Sequence, residues 1–543
     1  MFHVVQTKGV NTMGHKGIVN KVAMSCRALP EVQIMNVYFG SQIEEKTVAR
    51  NKPMKRIPLP ILMLFLFSTS VFAAPTQEDV LAAAKRSTQY MMNTVSNRGG
   101  FLWNYSEDCS EQWGEIPARK SMIWVQRPGT VGAGEILLRA YQVTGDREYL
   151  EYAERVANAL IYGQYPSGGW HYFIDFDPAR TREWYEDVAS KCWGWEEFYY
   201  NYENCTYDDY IMTDTTRFLM DIYLLTLDPR YRDPMRKALQ FFLDSQYPNG
   251  AWPQRFPPPD ERAPDRDPHY TLYYTFNDDV ILGNIEFLLE AYDRLGDRRY
   301  WDAAVRGMDF VVISQQGAPQ AGWAQQYDLD MKPAAARSCE PAAIMPTETC
   351  ANIQALENYY KITGDRKYLR GIPDAIRWLE QSVLPPDKTI DGHTHAMFYE
   401  VGTNRPLFVH REGTTMATGR YLVDHNPTNL IRGYGTHVTI DTKSCWNEYR
   451  RMEALTPEEA KAEYREQKAK GSGVPKVAPD VLEAILKSRN ENGIWTEEFE
   501  IQNFDDYMNN PPRKVRGYST ATYLANMKVF LDFLENEKGE VKK

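Results

Sequence analysis

An all-α protein, an α/α toroid built from repeated helix pairs with long cleft-lining loops, is what the sequence predicts, on three observations. An Asp-x-x-Tyr tetrad recurs at Asp146–Tyr149, Asp228–Tyr231, Asp297–Tyr300 and Asp365–Tyr368, at spacings of 82, 69 and 68 residues. After the first three tyrosines a tryptophan follows at 21, 21 and 23 residues, as Trp170, Trp252 and Trp323. Strand-like alternation is scarce, while apolar residues at helical spacing flank each tetrad. Helix pairs with a period near 70 residues read as a curved array, and long loops between pairs suit a cleft.

Taken in order, residues 1–53 show no sustained apolar period. Met54 then opens a signal-peptide pattern over 54–73. Lys55 and Arg56 form its charged start, Ile57–Phe67 its apolar stretch and Val71-Phe72-Ala73 its cleavage site. Met54 is therefore expected to be the natural initiator, with 1–53 a non-native upstream extension and Ala74 near the mature N-terminus. The first repeat unit carries Ile136, Leu137, Ala140 and Val143 on one helix. Gly145 is its stop and Asp146 the cap of a second helix bearing Leu150, Ala153, Val156, Ala157 and Leu160. Echoes at Gly99–Trp103 and Asn492–Trp495 extend the array to both ends, giving one domain over 80–540. The charged stretch 446–480 reads as an insertion or exposed connection, and a split into two domains there is the rival reading.

A 43% hydrophobic composition is enough for a large core, and the net charge of −11 argues against nucleic acid as a partner. It does not exclude an acidic polysaccharide, for which only the cleft has to be basic. Downstream of Met54 stand six cysteines, an even number that permits disulfides in an exported chain without fixing their pairing. With no second apolar span, the expectation is a secreted or periplasmic monomer without stable membrane insertion.

Four segments carry polar residues that packed helices do not need. They are Tyr207-Asp208-Asp209-Tyr210; Tyr247–Gln254 followed by Thr275-Phe276-Asn277-Asp278-Asp279; Trp323–Asp328 followed by Ala336-Arg337; and Gly402–Phe408, which contains Arg405, followed by Arg411-Glu412-Gly413. Carboxylates from separate loops offer hard oxygen ligands for Ca²⁺, and arginines offer bidentate recognition of a sugar carboxylate. Singly, each piece has a plainer reading: Asp208-Asp209 and Asn277-Asp278-Asp279 as helix caps, the arginines as surface charges. His393-x-His395 lacks further ligands and reads as loop polarity.

Together, Tyr247-Pro248-Asn249-Gly250-Ala251-Trp252-Pro253-Gln254, Thr275-Phe276-Asn277-Asp278-Asp279, Trp323-Ala324-Gln325-Gln326 and Ala336-Arg337 resemble polysaccharide lyase family 10, the pectic acid lyases. The resemblance covers about 200–440. It implies an α/α toroid that uses Ca²⁺ to cleave polygalacturonate by β-elimination to 4,5-unsaturated products. It further implies Asp208, Asp209 and Asp278 as metal ligands and Arg411 as the catalytic base. Substrate contacts would come from Arg337, Tyr247, Trp252, Gln254, Asn277 and Arg405. The chain departs from the family pattern at Asp209 and Glu412, and at Met397 where a cleft arginine is expected. Two alternatives stay open: a glycoside hydrolase using Asp208 and Asp278, and a non-catalytic sugar-binding repeat protein.

Overall fold

Each tetrad aspartate caps a helix. Asp146, Asp228, Asp297 and Asp365 accept the backbone N–H of Glu148, Arg230, Arg299 and Lys367 at 2.9–3.1 Å, satisfying donors that a helix start leaves free. The structure is a computed structural model describing residues 75–541 apart from 192–200, 259–269, 390–391, 413–419, 429, 431–436, 472 and 502–511. The expected extension 1–53 and signal peptide 54–73, with Cys192, Gly413 and Arg432, lie outside the described residues.

The helices are α1 (Gln77–Tyr90), α2 (Thr130–Thr144), α3 (Arg147–Tyr162), α4 (Thr181–Asp187), α5 (Ile211–Thr226), α6 (Pro229–Asp244), α7 (Val280–Leu295) and α8 (Arg298–Ile313), followed by α9 (Pro346–Thr363), α10 (Ile372–Gln381), α11 (Thr442–Ala454), α12 (Pro457–Lys470), α13 (Pro479–Lys487) and α14 (Thr520–Val541). Within each pair the helices pack together, as α2 with α3, α5 with α6 and α7 with α8. The first helices then stand side by side, α14 against α2, α2 against α5 and α5 against α7. Strand Asn104–Ser106 pairs antiparallel with Arg513–Ser519, and Thr520 Oγ1 donates to Leu102 O at 2.6 Å. The two ends of the array meet there, and the fold is an α/α toroid.

The repeated aromatics hold this scaffold. Tyr149, Tyr231, Tyr300 and Tyr368 are all buried. The indole N–H groups of Trp170, Trp252, Trp323 and Trp495 donate to the carbonyls of Leu160, Phe242, Val311 and Ile485 at 2.7–3.0 Å. Those carbonyls sit in the last turns of α3, α6, α8 and α13, where helices leave acceptors unsatisfied. Each tryptophan thus pins the loop after a helix pair to the end of that pair.

One buried apolar cluster runs from Val80 to Leu534. The stretch 446–480 differs from the connection expected there. It forms most of α11, all of α12 and the start of α13, with Met452 and Ala460 fully buried and α12 packed on α9. A helix with one narrow apolar face reads as charged overall, which hid it in the sequence.

Candidate active site

The loops that bring the chain into α5 and α7 are copies of one design, 69 residues apart, the same spacing as Asp228 to Asp297. Thr206 N bonds Trp170 O at 3.0 Å and Thr275 N bonds Trp252 O at 3.1 Å. Tyr207 N bonds Gln254 O at 2.9 Å and Phe276 N bonds Gln325 O at 2.8 Å. Two consecutive non-glycine residues then turn left-handed in each loop: Asp209 and Tyr210 at φ 49° and 61°, Asp278 and Asp279 at φ 53° and 56°. Such pairs are costly for residues with a Cβ and persist only where the surroundings enforce them.

The result is a convergence of carboxylates. One oxygen each from Asp208, Asp209 and Asp278 lies within 4.8 Å of the others. Arg337 is buried with them, its Nη2 2.9 Å from Asp208 Oδ2 and its Nη1 3.0 Å from Asp278 Oδ2. Glu340 holds Arg337 in turn, at 2.9 Å from Nη1 and 3.0 Å from the backbone N–H. Asn277 Nδ2 donates to Asp278 Oδ2 and Glu340 Oε1, both at 3.1 Å. Tyr172 donates its hydroxyl to Asp208, and Gln126 its amide to Asp209.

Among the described residues four carboxylates share the cluster with one guanidinium, an excess of negative charge that burial makes expensive. Burial, and next the Asp278 charge, push the Asp208 carboxyl well up and lift Asp209 to about 6. Burial acts upward on Asp278 as well, but the Arg337 guanidinium holds it below the ordinary carboxylate range. Asp208 Oδ1 is buried without a hydrogen-bond partner. Excess acidic charge, three converging hard oxygens and an orphaned acceptor fit a divalent cation of the Ca²⁺ type.

The other expected residues are placed unevenly. Trp252 and Gln254 are fully buried. Trp252 serves the scaffold, and both amide atoms of Gln254 lack a protein partner. Arg337, expected as a substrate contact, has ion pairs to Asp208, Asp278 and Glu340 within the carboxylate cluster. Tyr247 is half-buried, its hydroxyl donated to Leu272 O at 2.9 Å and its ring edge-on to Tyr274. Arg405 is exposed between strands Phe398–Glu400 and Pro406–Glu412. Arg411 lies in the latter strand, its backbone opposite Tyr421, and its side chain is outside what the structure describes. Met397 packs against an apolar cluster that includes Met345 and Phe398. His395 is buried, its ring 2.8 Å from Leu379 O.

Residues 180–382 match the family model described as pectic acid lyase. The protein is a polysaccharide lyase. Comparison with curated proteins finds no match. Among solved structures the lyase is similar to a mutant family 10 polysaccharide lyase from Cellvibrio cellulosa in complex with trigalacturonic acid. Identity is 18%, coverage 59% of this chain and 98% of that one, and the TM-score 0.40. A cellobiose 2-epimerase from Bacillus thermoamylovorans is 11% identical over 85% of this chain and 100% of that chain, with a TM-score of 0.39. An alpha-mannanase from Bacteroides thetaiotaomicron is 13% identical over 86% and 98%, with a TM-score of 0.36.

Sequence reasoning missed Gln126, Tyr172 and Glu340 as parts of this lyase's site. Glu340 stands three residues after Arg337, a spacing that signals an ion pair. Gln126 and Tyr172 come from earlier repeats, and no local signal marks them.

Proposed function

We propose that the lyase is a Ca²⁺-dependent pectate lyase that cleaves polygalacturonate by β-elimination, exported by the leader at 54–73. The observation that carries this reading is the convergence of Asp208, Asp209 and Asp278 from two copies of one loop, with the Asp208 acceptor left over. These aspartates would hold the cation, and Arg337, Asn277, Tyr172 and Gln126 fix their orientation. A calcium ion there supplies charge that acidifies the C5 proton of the uronate next to its carboxylate. Arg411 takes that proton, the C5 electron pair forms the C4–C5 double bond, and the C4–oxygen bond breaks with its electron pair on the oxygen, which takes a proton from solvent to become the hydroxyl of the released sugar. An arginine is ordinarily protonated, so proton removal by Arg411 favours alkaline pH. Against a hydrolase speaks the single guanidinium within 3.0 Å of both Asp208 and Asp278. An arginine ion-paired to both carboxylates leaves neither oriented as the free acid and base that such a pair needs.

The test is incubation with polygalacturonate and Ca²⁺ while ultraviolet absorbance is followed. Growth of a 4,5-unsaturated uronate signal that stops on adding chelator is expected. A saturated reducing product, or full turnover in chelator, overturns the reading.

A further inference from the structure

A second polar feature lies in the N-terminal repeat, mostly outside the segment that matches the pectic acid lyase model. A pocket of about 460 Å³ is lined by Arg119, Lys120, Arg180, Asp177, Ser110 and Gln112, among others. Its three cations meet Asp177 in the lining and Glu183 beside it, which leaves a positive excess in a chain whose net charge is −11. The backbone beneath is fixed: Gln112 Nε2 donates to Arg119 O at 2.6 Å and Asn97 Nδ2 to Lys120 O at 2.8 Å. Arg119 donates to Arg180 O, tying the two sides together. Glu183 sits 3.0 Å from Arg180 and 3.6 Å from Arg119. No carboxylate of the described residues is in ion-pair range of Lys120.

Strands Met122–Trp124 and Phe173–Asp175 pair antiparallel, and Phe176 N bonds Ser121 O at 2.9 Å at the pocket end. Beside that end Tyr162 is 53% exposed, with its ring 5.1 Å from Phe176. The Arg98 guanidinium covers Phe176 at 4.7 Å, adding another cation. At the other end of the same segment Gln126 touches Asp209. Four residues, three of them in strand Met122–Trp124, separate Ser121 from Gln126, about 15 Å, several sugar units rather than one.

We infer that this pocket is a distal subsite for an acidic polysaccharide, binding a uronate carboxylate on the same chain whose scissile bond lies at the aspartates. The inference rests on the lyase reading for its substrate. Arg119, Lys120 and Arg180 neutralise the carboxylate, and the exposed face of Tyr162 offers a sugar a stacking surface. Only a long substrate reaches both places, so the subsite gives the polymer an affinity advantage over a trimer.

The test measures binding by calorimetry in chelator, where turnover is stopped, for wild type and the Lys120→Ala/Arg180→Ala double variant. Ligands are polygalacturonate, trigalacturonate and highly methyl-esterified pectin. The advantage of polygalacturonate over the trimer should fall about fivefold or more in the double variant, as expected for two partly exposed charge pairs. Added salt should erode the wild-type advantage, and methyl-esterified pectin should show no dependence on the pair. Arg180→Lys, which keeps a point charge, should retain more of the advantage than Arg180→Ala. An unchanged advantage in the double variant overturns the subsite. Wild type that binds polygalacturonate through this pair without cleaving it keeps the subsite and removes the pectate lyase reading. Wild type that cleaves it while the pair makes no difference does the reverse, and protein that does neither overturns both.

Discussion

Four loops of the toroid lead into the first helices of successive pairs, and two of them differ from the other two. Before α2 and α9 the chain enters through Gly129 and through extended Met345 followed by Pro346. Before α5 and α7 it enters through two left-handed residues each, Asp209-Tyr210 and Asp278-Asp279. All four share the scaffold bond, from Trp124, Thr206, Thr275 and Met345 N–H to the carbonyl of a preceding aromatic residue. The repeat thus supplies the frame everywhere, and chemistry concentrates where two adjacent copies depart from the relaxed backbone. Among the described residues only these two loops hold two consecutive left-handed non-glycine residues, and such paired strain in neighbours points to a site shared between them.

Substitutions can break or sharpen that contrast. The largest effect belongs to Arg411. Arg411→Ala should lose roughly three orders of magnitude in kcat, at or near the upper range for acid–base groups. Arg411→Lys should not rescue it, because the planar guanidinium is lost. An active Arg411→Ala enzyme would hand the base role to another residue, with Arg432 next in line.

Asp278→Ala should cost about two to three orders of magnitude in kcat at ordinary calcium, with no loss of melting temperature. Trp252→Ala marks the scaffold side of the comparison. Removing that buried ring should cost about 3–5 kcal/mol of stability by denaturant titration. If the two variants exchanged phenotypes, the division between frame and site would be wrong.

A smaller effect is expected at Gln126, which reaches Asp209 from a different repeat. Gln126→Leu should raise the calcium concentration for half-maximal activity roughly tenfold, as loss of a residue that orients a ligand does. Equal calcium requirements in the two enzymes would mean that the contact is only structural.

The smallest effect concerns a chain of ion pairs in which Asp214 of α5 takes Arg127 from the loop before α2 and Arg217 of its own helix, and Arg217 in turn reaches Glu290 of α7. A cavity of about 290 Å³ there is lined in part by Glu135, Arg139 and Asp221. Burial lifts Glu135 to about 7, against the pull of Arg127. The folded chain therefore holds a proton there that the unfolded chain has released. Stability from this group is present at acid pH and is lost as pH rises from about 4.5 through about 7. Glu135→Gln should accordingly raise the melting temperature at pH 8 relative to wild type and change it little at pH 4. A lower melting temperature at pH 8 would contradict the sign.

The repeat was legible because its signals are local: an aspartate cap, a buried tyrosine and a tryptophan at fixed distance. Asp208, Asp209 and Asp278 were legible for the same reason, each standing in a polar interruption just before an apolar helix. The partners of those aspartates were not. Arg337 pairs with Asp208 across 129 residues and Gln126 with Asp209 across 83, contacts that only the packing of separate repeats creates. The burial of Trp252 and Gln254 was not legible either, because a ring or amide in a polar loop segment reads the same whether it faces the cleft or the frame. The charged helices α11 and α12 misled because composition averages over a face that is buried and a face that is not.

The account stands on one claim, that the loops before α5 and α7 build a single cation site together. Calorimetric calcium titration of wild type, Asp209→Ala, Asp278→Ala and the double variant tests it most directly. Either single substitution should weaken calcium binding strongly, and the double variant should be little worse than the singles, because both loops serve one ion. Losses that simply add, or one variant that binds calcium like wild type, would mean that the two loops act separately.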